Sequence, residues 1–482
     1  MNFIARLMAL LIASLLSMDL IHAGFGKFFA IQAGAEQSIS LDAATRLRIS
    51  LFYLALNLIY LLWIWNGRQH RRSQPALLPD GKTDSPESVA SGSFTACLSM
   101  ALPFLILAVA IYPIGSDIYL YLHYGLMASQ GINPFMVSAS SFMSEFSPFL
   151  RWEQTSTYGP LAIGVFALAA GLTKISPLLA IYSLKGFCLM FHLLNAFLIW
   201  QLLASSPLRS AVTTAYLLHP LLLFEQISIA HIDVLMATTL LGFMLCFKQG
   251  RYTAGLLLLW LGFLTKTLPI LWFPLATVFL MRKGQWRSLL TGMLLIVAAI
   301  GALQKTILPT AEEWTSLLNP GVSGKSMNSL YALLNWTLNG GGSITATTRL
   351  WILSGFSLSM LILVGIYAVI ALWKIGFKPE GFESEVFLEI GWTTLLLLLL
   401  ATPWLMPWYS SILLPIAAVC MTACRFTVMA LTFCFAASCC YTLLSWTAVQ
   451  SAVATGIPLL VLLFLLLAPA VGIIELRLTE KL

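Results

Sequence analysis

Residues 101–121 read ALPFLILAVAIYPIGSDIYLY, and this stretch decides the fold. It carries no charge before Asp117, and its apolar part is the material of a helix buried in lipid. Tyr112-Pro113-Ile114-Gly115-Ser116 ends that run and delivers Asp117 to the membrane boundary. A carboxylate held there is expensive, and such residues mark function. Behind it a polar, aromatic segment runs to Trp152-Glu153-Gln154-Thr155-Ser156-Thr157-Tyr158-Gly159-Pro160-Leu161.

Composition extends the reading to the whole chain. Hydrophobic residues make up 59% and charged residues only 9%, against about 25% charged in an average soluble domain. Apolar runs recur at the roughly 20-residue scale of a spanning helix. The alternation of a membrane β-barrel is missing. We expect an all-α polytopic membrane protein of about fourteen transmembrane helices. They fall near 3–22, 47–65, 94–114, 178–203, 210–226, 232–248, 252–265, 268–281, 288–304, 349–374, 386–402, 408–424, 427–445 and 452–472. The stretch Met1–Ala23 reads as an uncleaved first helix, because its cleavage-site pattern is poor.

The net charge of +7 does not point to nucleic acid, since the basic residues sit in short loops and report membrane orientation. Arg68, Arg71 and Arg72 place the loop 66–93 inside. Alternation then puts Arg209, Lys248, Arg282, Lys374 and Arg425 inside as well. This requires 160–175 to be a helix lying on the outer surface rather than a span. Two long segments, 115–177 and 305–348, then face outward. The chain divides into two N-terminal helices with a cytoplasmic loop (1–93), a central membrane module carrying the outer loop 115–177 (94–304) and an outer loop with C-terminal transmembrane helices (305–482). The eight cysteines lie in apolar runs and read as packing residues, with no metal spacing or disulfide framework.

Elimination narrows the acids to Asp117, Glu145, Glu153, Glu225 and Asp233. Asp233 follows His231 in a brief polar loop, and reads either as a helix cap or as a substrate contact. Two short helices meet at Gly262-Phe263-Leu264-Thr265-Lys266-Thr267-Leu268-Pro269, and a lysine at such a break is typical of ligand-facing backbone. Lys185 and Lys266 read either as snorkelling lysines or as a phosphate cradle, which Arg349 can join. Tyr121, Trp152 and Tyr158 belong to an aromatic crowd that serves equally as an interface belt or as sugar-stacking rings. Asn339 to Ser343, with three consecutive glycines, reads as a mobile part of the second long loop. Trp404, Trp408 and Tyr409 read as belt residues around a proline-shaped turn.

Asp117-Ile118-Tyr119-Leu120-Tyr121, Gly131-Ile132-Asn133-Pro134-Phe135 and Tyr158-Gly159-Pro160-Leu161 follow one another in an order that resembles membrane glycosyltransferases of the C-type fold. The resemblance is to bacterial polyprenol-phosphomannose-dependent mannosyltransferases. It covers about residues 95–285, with His231-Ile232-Asp233 and Thr265-Lys266 matching two further elements. Ser116 stands where that family often has a basic residue, and Ile232 replaces an Asn.

The resemblance implies transfer of a hexose, mannose first, from a polyprenyl-phosphate donor to a glycan or lipid-linked acceptor. The site would face outward from a bacterial cytoplasmic membrane. Asp117 is then the general base of an inverting reaction, and Lys185, Lys266 and Arg349 hold the donor phosphate. His231, Asp233, Trp152, Glu153, Tyr158 and Tyr121 bind substrate. No cofactor or metal is required, although Asp117 with Asp233 is a pair able to hold a divalent ion. Two other readings stay open: a transporter or lipid flippase, and a ligase or polymerase of lipid-diphosphate-linked glycans.

Overall fold

The computed structural model describes residues 3–33, 42–72, 92–318, 326–340, 345–377 and 383–446. The span expected at 452–472, most of the loop 66–93 and the stretch 341–343, with two of the three consecutive glycines, lie outside the described residues. The architecture is all-α. Among the described residues the only extended pairing is one isolated bridge, between Met327 and Trp404.

Two long helices open the chain, α1 (Phe3–Gln32) and α2 (Ala43–Arg72). They pack together, and Arg48 grips both carboxylate oxygens of Asp19 at 2.6 and 2.7 Å. In α3 (Phe94–Ala110), Ser93 caps the first turn by accepting the Ala96 N–H at 3.1 Å. The helix stops before Pro113, whose ring disfavours helical geometry at the preceding residue. The chain restarts as α4 (Asp117–Ser129), almost wholly buried. Next comes α5 (Pro160–Ala170), packed so tightly on α4 that a Cβ on Gly125 would lie 2.4 Å from the Phe166 carbonyl oxygen.

The long α6 (Pro177–Leu202) and short α7 (Arg209–Leu217) lead to a π-helical turn, Leu222–Ser228. From there the chain bends by 113° into α8 (Asp233–Lys248). The bend passes through Ala230, buried and held at φ 66°, a left-handed conformation a side chain rarely adopts. Then α9 (Tyr252–Phe263) is separated from α10 (Phe273–Arg282) by a break and a 3₁₀ turn. The remaining helices are α11 (Trp286–Thr306), α12 (Ala311–Leu318), α13 (Leu330–Gly340) and α14 (Ala346–Phe377). After them come α15 (Glu383–Leu396) with a second π turn (Leu397–Ala401), α16 (Pro407–Ser410), α17 (Leu413–Val419) and α18 (Cys424–Trp446).

The count of fourteen spans is not confirmed. Among the described residues six helices are long and apolar enough to cross a membrane, or seven if the bent pair around Ala230 counts as one. Other apolar runs are cut into shorter pieces by prolines, glycines and π turns. The eleven residues of α5 reach about 17 Å, well short of the roughly 30 Å hydrocarbon thickness. The segment expected at 408–424 is two pieces, α16 and α17. The second long polar segment contains helices of its own, α12 and α13.

Two apolar cores carry the fold. The larger joins α3, α6, α8, α9, α10 and the C-terminal helices, with Trp272, Phe243 and Phe279 at its centre. The smaller gathers Tyr119, Tyr121, Phe146 and Phe166 around α4 and α5. The first turn of α8 belongs to both: Ile232 and Val234 pack in the smaller core, Met236 in the larger. Asp233 therefore sits on the seam.

Candidate functional site

Two interruptions of helical backbone bring the polar residues together. At the first, the chain turns through Ala230 and places His231 and Asp233 at the start of α8. At the second, α9 ends at Phe263 and leaves Lys266 on the link to the 3₁₀ turn. The Tyr158-Gly159-Pro160-Leu161 segment docks on this link. The Gly159 N–H donates to the Thr265 carbonyl at 3.0 Å and the Leu161 N–H to the Leu264 carbonyl at 2.9 Å. A Cβ on Gly159 would stand 2.1 Å from the Leu264 oxygen, so glycine is required by the close approach. Tyr158 is thereby set beside Lys266, whose Nζ lies 5.9 Å from that ring centre and 4.5 Å from the ring centre of Tyr409.

Lys266 Nζ donates to Asp233 Oδ1 at 2.9 Å. The Asp233 side chain is 1% exposed and that of Lys266 20% exposed. The pair borders a cavity of about 830 Å³, whose wall also includes Asp117, Arg151, Trp152, Tyr158, Trp404, Trp408 and Tyr409. Two smaller cavities, of about 80 and 440 Å³, have no Asp, Glu, Lys or Arg in their walls.

Asp117 is the first residue of α4 and reaches the cavity with its carboxylate. Among the described residues its nearest polar side chain of opposite character is His231, Nδ1 to Oδ2 at 3.8 Å. Burial pushes the carboxyl up to about 6; Lys266 pulls it down and Asp233 adds a smaller upward push. A carboxylate with this proton affinity and an open face is equipped to take a proton from a bound hydroxyl.

Behind Asp117 lies a buried polar line. Tyr158 donates its hydroxyl to Tyr121 at 3.3 Å, and Tyr121 meets His231 Nδ1 at 3.3 Å. His231 Nε2 faces Glu225 Oε2 at 3.3 Å. The imidazole lies flat on Trp408, ring centres 3.8 Å apart at 16°. Tyr121 is stacked in turn on Phe166 at 4.6 Å.

The structure thus brings together Asp117, Lys266, His231, Asp233, Tyr121, Tyr158 and Trp152. It places three other expected residues elsewhere. Lys185 is fully buried, and its ammonium donates to the Ala108 and Val109 carbonyls at 3.2 and 2.7 Å and to that of Ile111. These are carbonyls at the end of α3, which lack helical partners, and a cation belongs there. Arg349 donates to Asn339 and is not part of the cavity wall. Glu153 is exposed and also outside that wall. Asp233 makes no side-chain cap on α8; its partner is Lys266.

Several residues of the site were not singled out from sequence. Arg151 lines the cavity beside Trp152. Trp404, Trp408 and Tyr409 form one wall rather than a belt, with Trp152 edge-on to Trp404 at 6.1 Å. Their signal was the packing of three rings around Pro403 and Pro407 just after a π turn. Glu225, by contrast, was already one of the five acids that elimination kept, and it lies behind His231. Among the described residues no group of three or more His, Cys, Asp or Glu is arranged to hold a metal ion.

Comparison with known families gives one match. The family described as alpha-(1->6)-mannopyranosyltransferase, N-terminal domain, matches residues 12–282. That range takes in every cavity residue from Asp117 to Leu271. No curated protein matches the chain.

Proposed function

The chain belongs to the alpha-(1->6)-mannopyranosyltransferase family and is a glycosyltransferase; on that premise we propose that it moves a mannose from a polyprenyl-phosphate donor, with inversion, using Asp117 as base. The observation that carries the reading is Asp117 itself, a carboxylate raised to about 6 by burial, opening on the same cavity as Lys266. Membership of a transferase family removes the transporter alternative.

The chemistry follows from the leaving group. A lipid phosphate departs as a stable anion, so no acid need protonate it. The anomeric C–O bond to the phosphate breaks while the acceptor hydroxyl oxygen bonds to the opposite face of the anomeric carbon. Asp117 receives the hydroxyl proton. Lys266, anchored by Asp233, and Arg151 stabilise the charge that gathers on the departing phosphate. Arg151 takes the place in this scheme that Lys185 and Arg349 held on sequence alone. Trp152, Tyr158 and Tyr409 offer ring faces to the sugars. An alpha-linked product formed by inversion calls for a beta-linked donor.

The acceptor is a glycan or a glycolipid. The cavity opens, in this proposal, on the outer face of the membrane, where the polar segment before Tyr158 lies.

The test is incubation of the purified protein with polyprenyl-phosphate mannose, glucose, galactose or arabinose and an oligomannoside acceptor, with products read by mass spectrometry. Consumption of the mannose lipid, and its loss in Asp117→Asn, supports the proposal. Transfer from a nucleotide sugar alone removes the lipid donor.

A further inference from the structure

The scheme gives no task to the Gly131-Ile132-Asn133-Pro134-Phe135 motif, nor to α12, which lies beyond the matched residues 12–282. The two meet. Gly131 takes φ 77° as the chain turns out of α4, and Asn133 reaches the joint between α11 and α12. Its amide nitrogen donates to the Ile307 carbonyl at 2.7 Å and to Glu313 Oε1 at 3.4 Å, while its oxygen accepts the Phe135 N–H at 3.0 Å. Glu313 is fully buried, and its Oε2 accepts the Thr310 N–H at the start of α12. A buried acid is costly unless it is hydrogen-bonded, and here both oxygens are.

The far end of α12 reaches the cavity. Ser316 donates its hydroxyl to the Ser156 carbonyl at 2.8 Å, so the hydrogen between Ser316 and the Thr155 hydroxyl, also 2.8 Å apart, comes from Thr155. The Ser156 N–H donates in turn to the Pro134 carbonyl at 2.7 Å. The stretch before Tyr158 is therefore bonded to the motif and to α12 alike. At the next residue of the helix, the Leu317 carbonyl accepts the Thr267 hydroxyl at 2.7 Å. That carbonyl lies in the last turn of α12, where helical partners run out. Leu318, which ends the helix, and Thr267 itself stand in the cavity wall.

Thr267 follows Lys266 directly. The lysine side chain is a flexible four-carbon stem, and Asp233 fixes only its tip, at 2.9 Å. Its base moves with the backbone of the link, and Thr267 ties that link to α12, 50 positions away. A cation held at both ends is aimed before the ligand arrives, and such preorganisation is what lets it stabilise developing charge.

Resting on the phosphate role of Lys266 proposed above, we infer that α12 is a brace for the site and that Thr267 is the positioning residue through which it acts on Lys266. The motif at 131–135 seats one end of the brace and Ser316 the other. Thr267 sets where the Lys266 ammonium stands.

The experiment is Thr267→Val beside Thr267→Ser, assayed with polyprenyl-phosphate mannose and an oligomannoside acceptor. Valine keeps the branched shape and removes the hydroxyl, whereas serine keeps the hydroxyl. We expect Thr267→Val to raise donor KM about fivefold and to lower kcat, with acceptor KM within about twofold. Thr267→Ser should stay within about twofold of the parent in all three. A purely structural loss would reduce the amount of active enzyme and leave both KM values in place. Parental donor KM in Thr267→Val overturns the inference. So does an equal rise in Thr267→Ser, because the hydroxyl is then irrelevant, and so does an equal rise in acceptor KM. Lys266→Met separates this inference from the reading it rests on. Parental donor KM there removes the phosphate role and the brace together. Transfer lost or donor KM raised there, with Thr267→Val at parental values, leaves the phosphate role standing and removes the brace. If Thr267→Val does not accumulate, Ser316→Ala carries the test: it frees the same end of α12 from Thr155 and Ser156, and parental donor KM there overturns the brace.

Discussion

Lys266 and Asp233 lie 33 positions apart and meet at 2.9 Å across two separate helix breaks. The pair is lopsided: the carboxylate is sealed while the ammonium borders the cavity. Among the described residues the buried Asp233 Oδ2 has no hydrogen-bond partner, so the acid depends there on one bond from one lysine. Lys266 uses one of its three hydrogens for that anchor, which under the proposed function leaves the others to the donor phosphate. The arrangement turns a flexible cation into a fixed one.

Removing the lysine should therefore damage two things at once. Lys266→Met leaves Asp233 buried and unpaired, a change that typically costs about 3–5 kcal/mol. Its thermal midpoint should drop and transfer should be lost. The double variant Lys266→Met/Asp233→Leu should regain most of the midpoint but none of the transfer. Transfer restored in the double variant would show that the lysine serves only its partner.

The proton affinity of Asp117 predicts a pH profile. In the proposed role of base Asp117 works ionised, and its carboxyl is raised to about 6. Turnover at saturating donor should decline as pH falls through about 6, with a slope of one proton. A limb near the ordinary carboxylate value of 3.8 would show that burial does not act on this group during turnover.

Stability should run the other way. The folded carboxyl binds its proton more tightly than the unfolded one, so the protonated form is favoured by folding. Stability from this group is present below about pH 4 and lost as pH rises through about 6. Asp117→Asn, which mimics the protonated form, should melt higher than the parent at pH 7.5 and level with it at pH 4. That pattern, measured by thermal unfolding in detergent, marks a residue kept for chemistry at a cost in stability.

Lys185 and Arg151 offer a paired contrast. Lys185 binds the free carbonyls at the end of α3, so Lys185→Met should lower the thermal midpoint while donor KM stays within about twofold. Arg151 is exposed on the cavity wall, so Arg151→Gln should leave the midpoint in place and raise donor KM about tenfold. The reverse pattern would return the phosphate to Lys185.

Lys185 also shows where sequence reading stops. A lysine in an apolar helix looks the same whether its ammonium reaches water, a ligand or the end of a neighbouring helix; only packing decides. Asp117, Lys266, His231 and Asp233 were legible because each combines a charge with a backbone interruption, and prolines, glycines and spacing announce those. The wall formed by Trp408 and Tyr409 was not, since its partners His231 and Lys266 are distant along the chain. The helical class followed from composition. The number of spans did not, because hydropathy counts apolar residues and is blind to the π turns at Leu222–Ser228 and Leu397–Ala401 that divide them.

Gly159 tests whether the two breaks must be held in register. Its backbone bonds the Thr265 carbonyl, and the following turn bonds that of Leu264, which ties Tyr158 to the link bearing Lys266. A methyl group at Gly159 would lie 2.1 Å from a backbone oxygen, with no flexible side chain there to yield. The main chain must move, and overpacking of this kind costs about 1–3 kcal/mol. Tyr158 would leave Lys266, and with it the hydroxyl that feeds Tyr121 and His231. Gly159→Ala should therefore lose more activity than its modest fall in thermal midpoint explains, with kcat reduced and donor KM raised together. Gly164→Ala is the control: it lies on α5 with nothing within 4 Å of the added carbon, and it should leave both activity and midpoint unchanged. Equal behaviour of the two variants would mean that the Tyr158 segment is a passive surface turn and that the catalytic geometry is set without it.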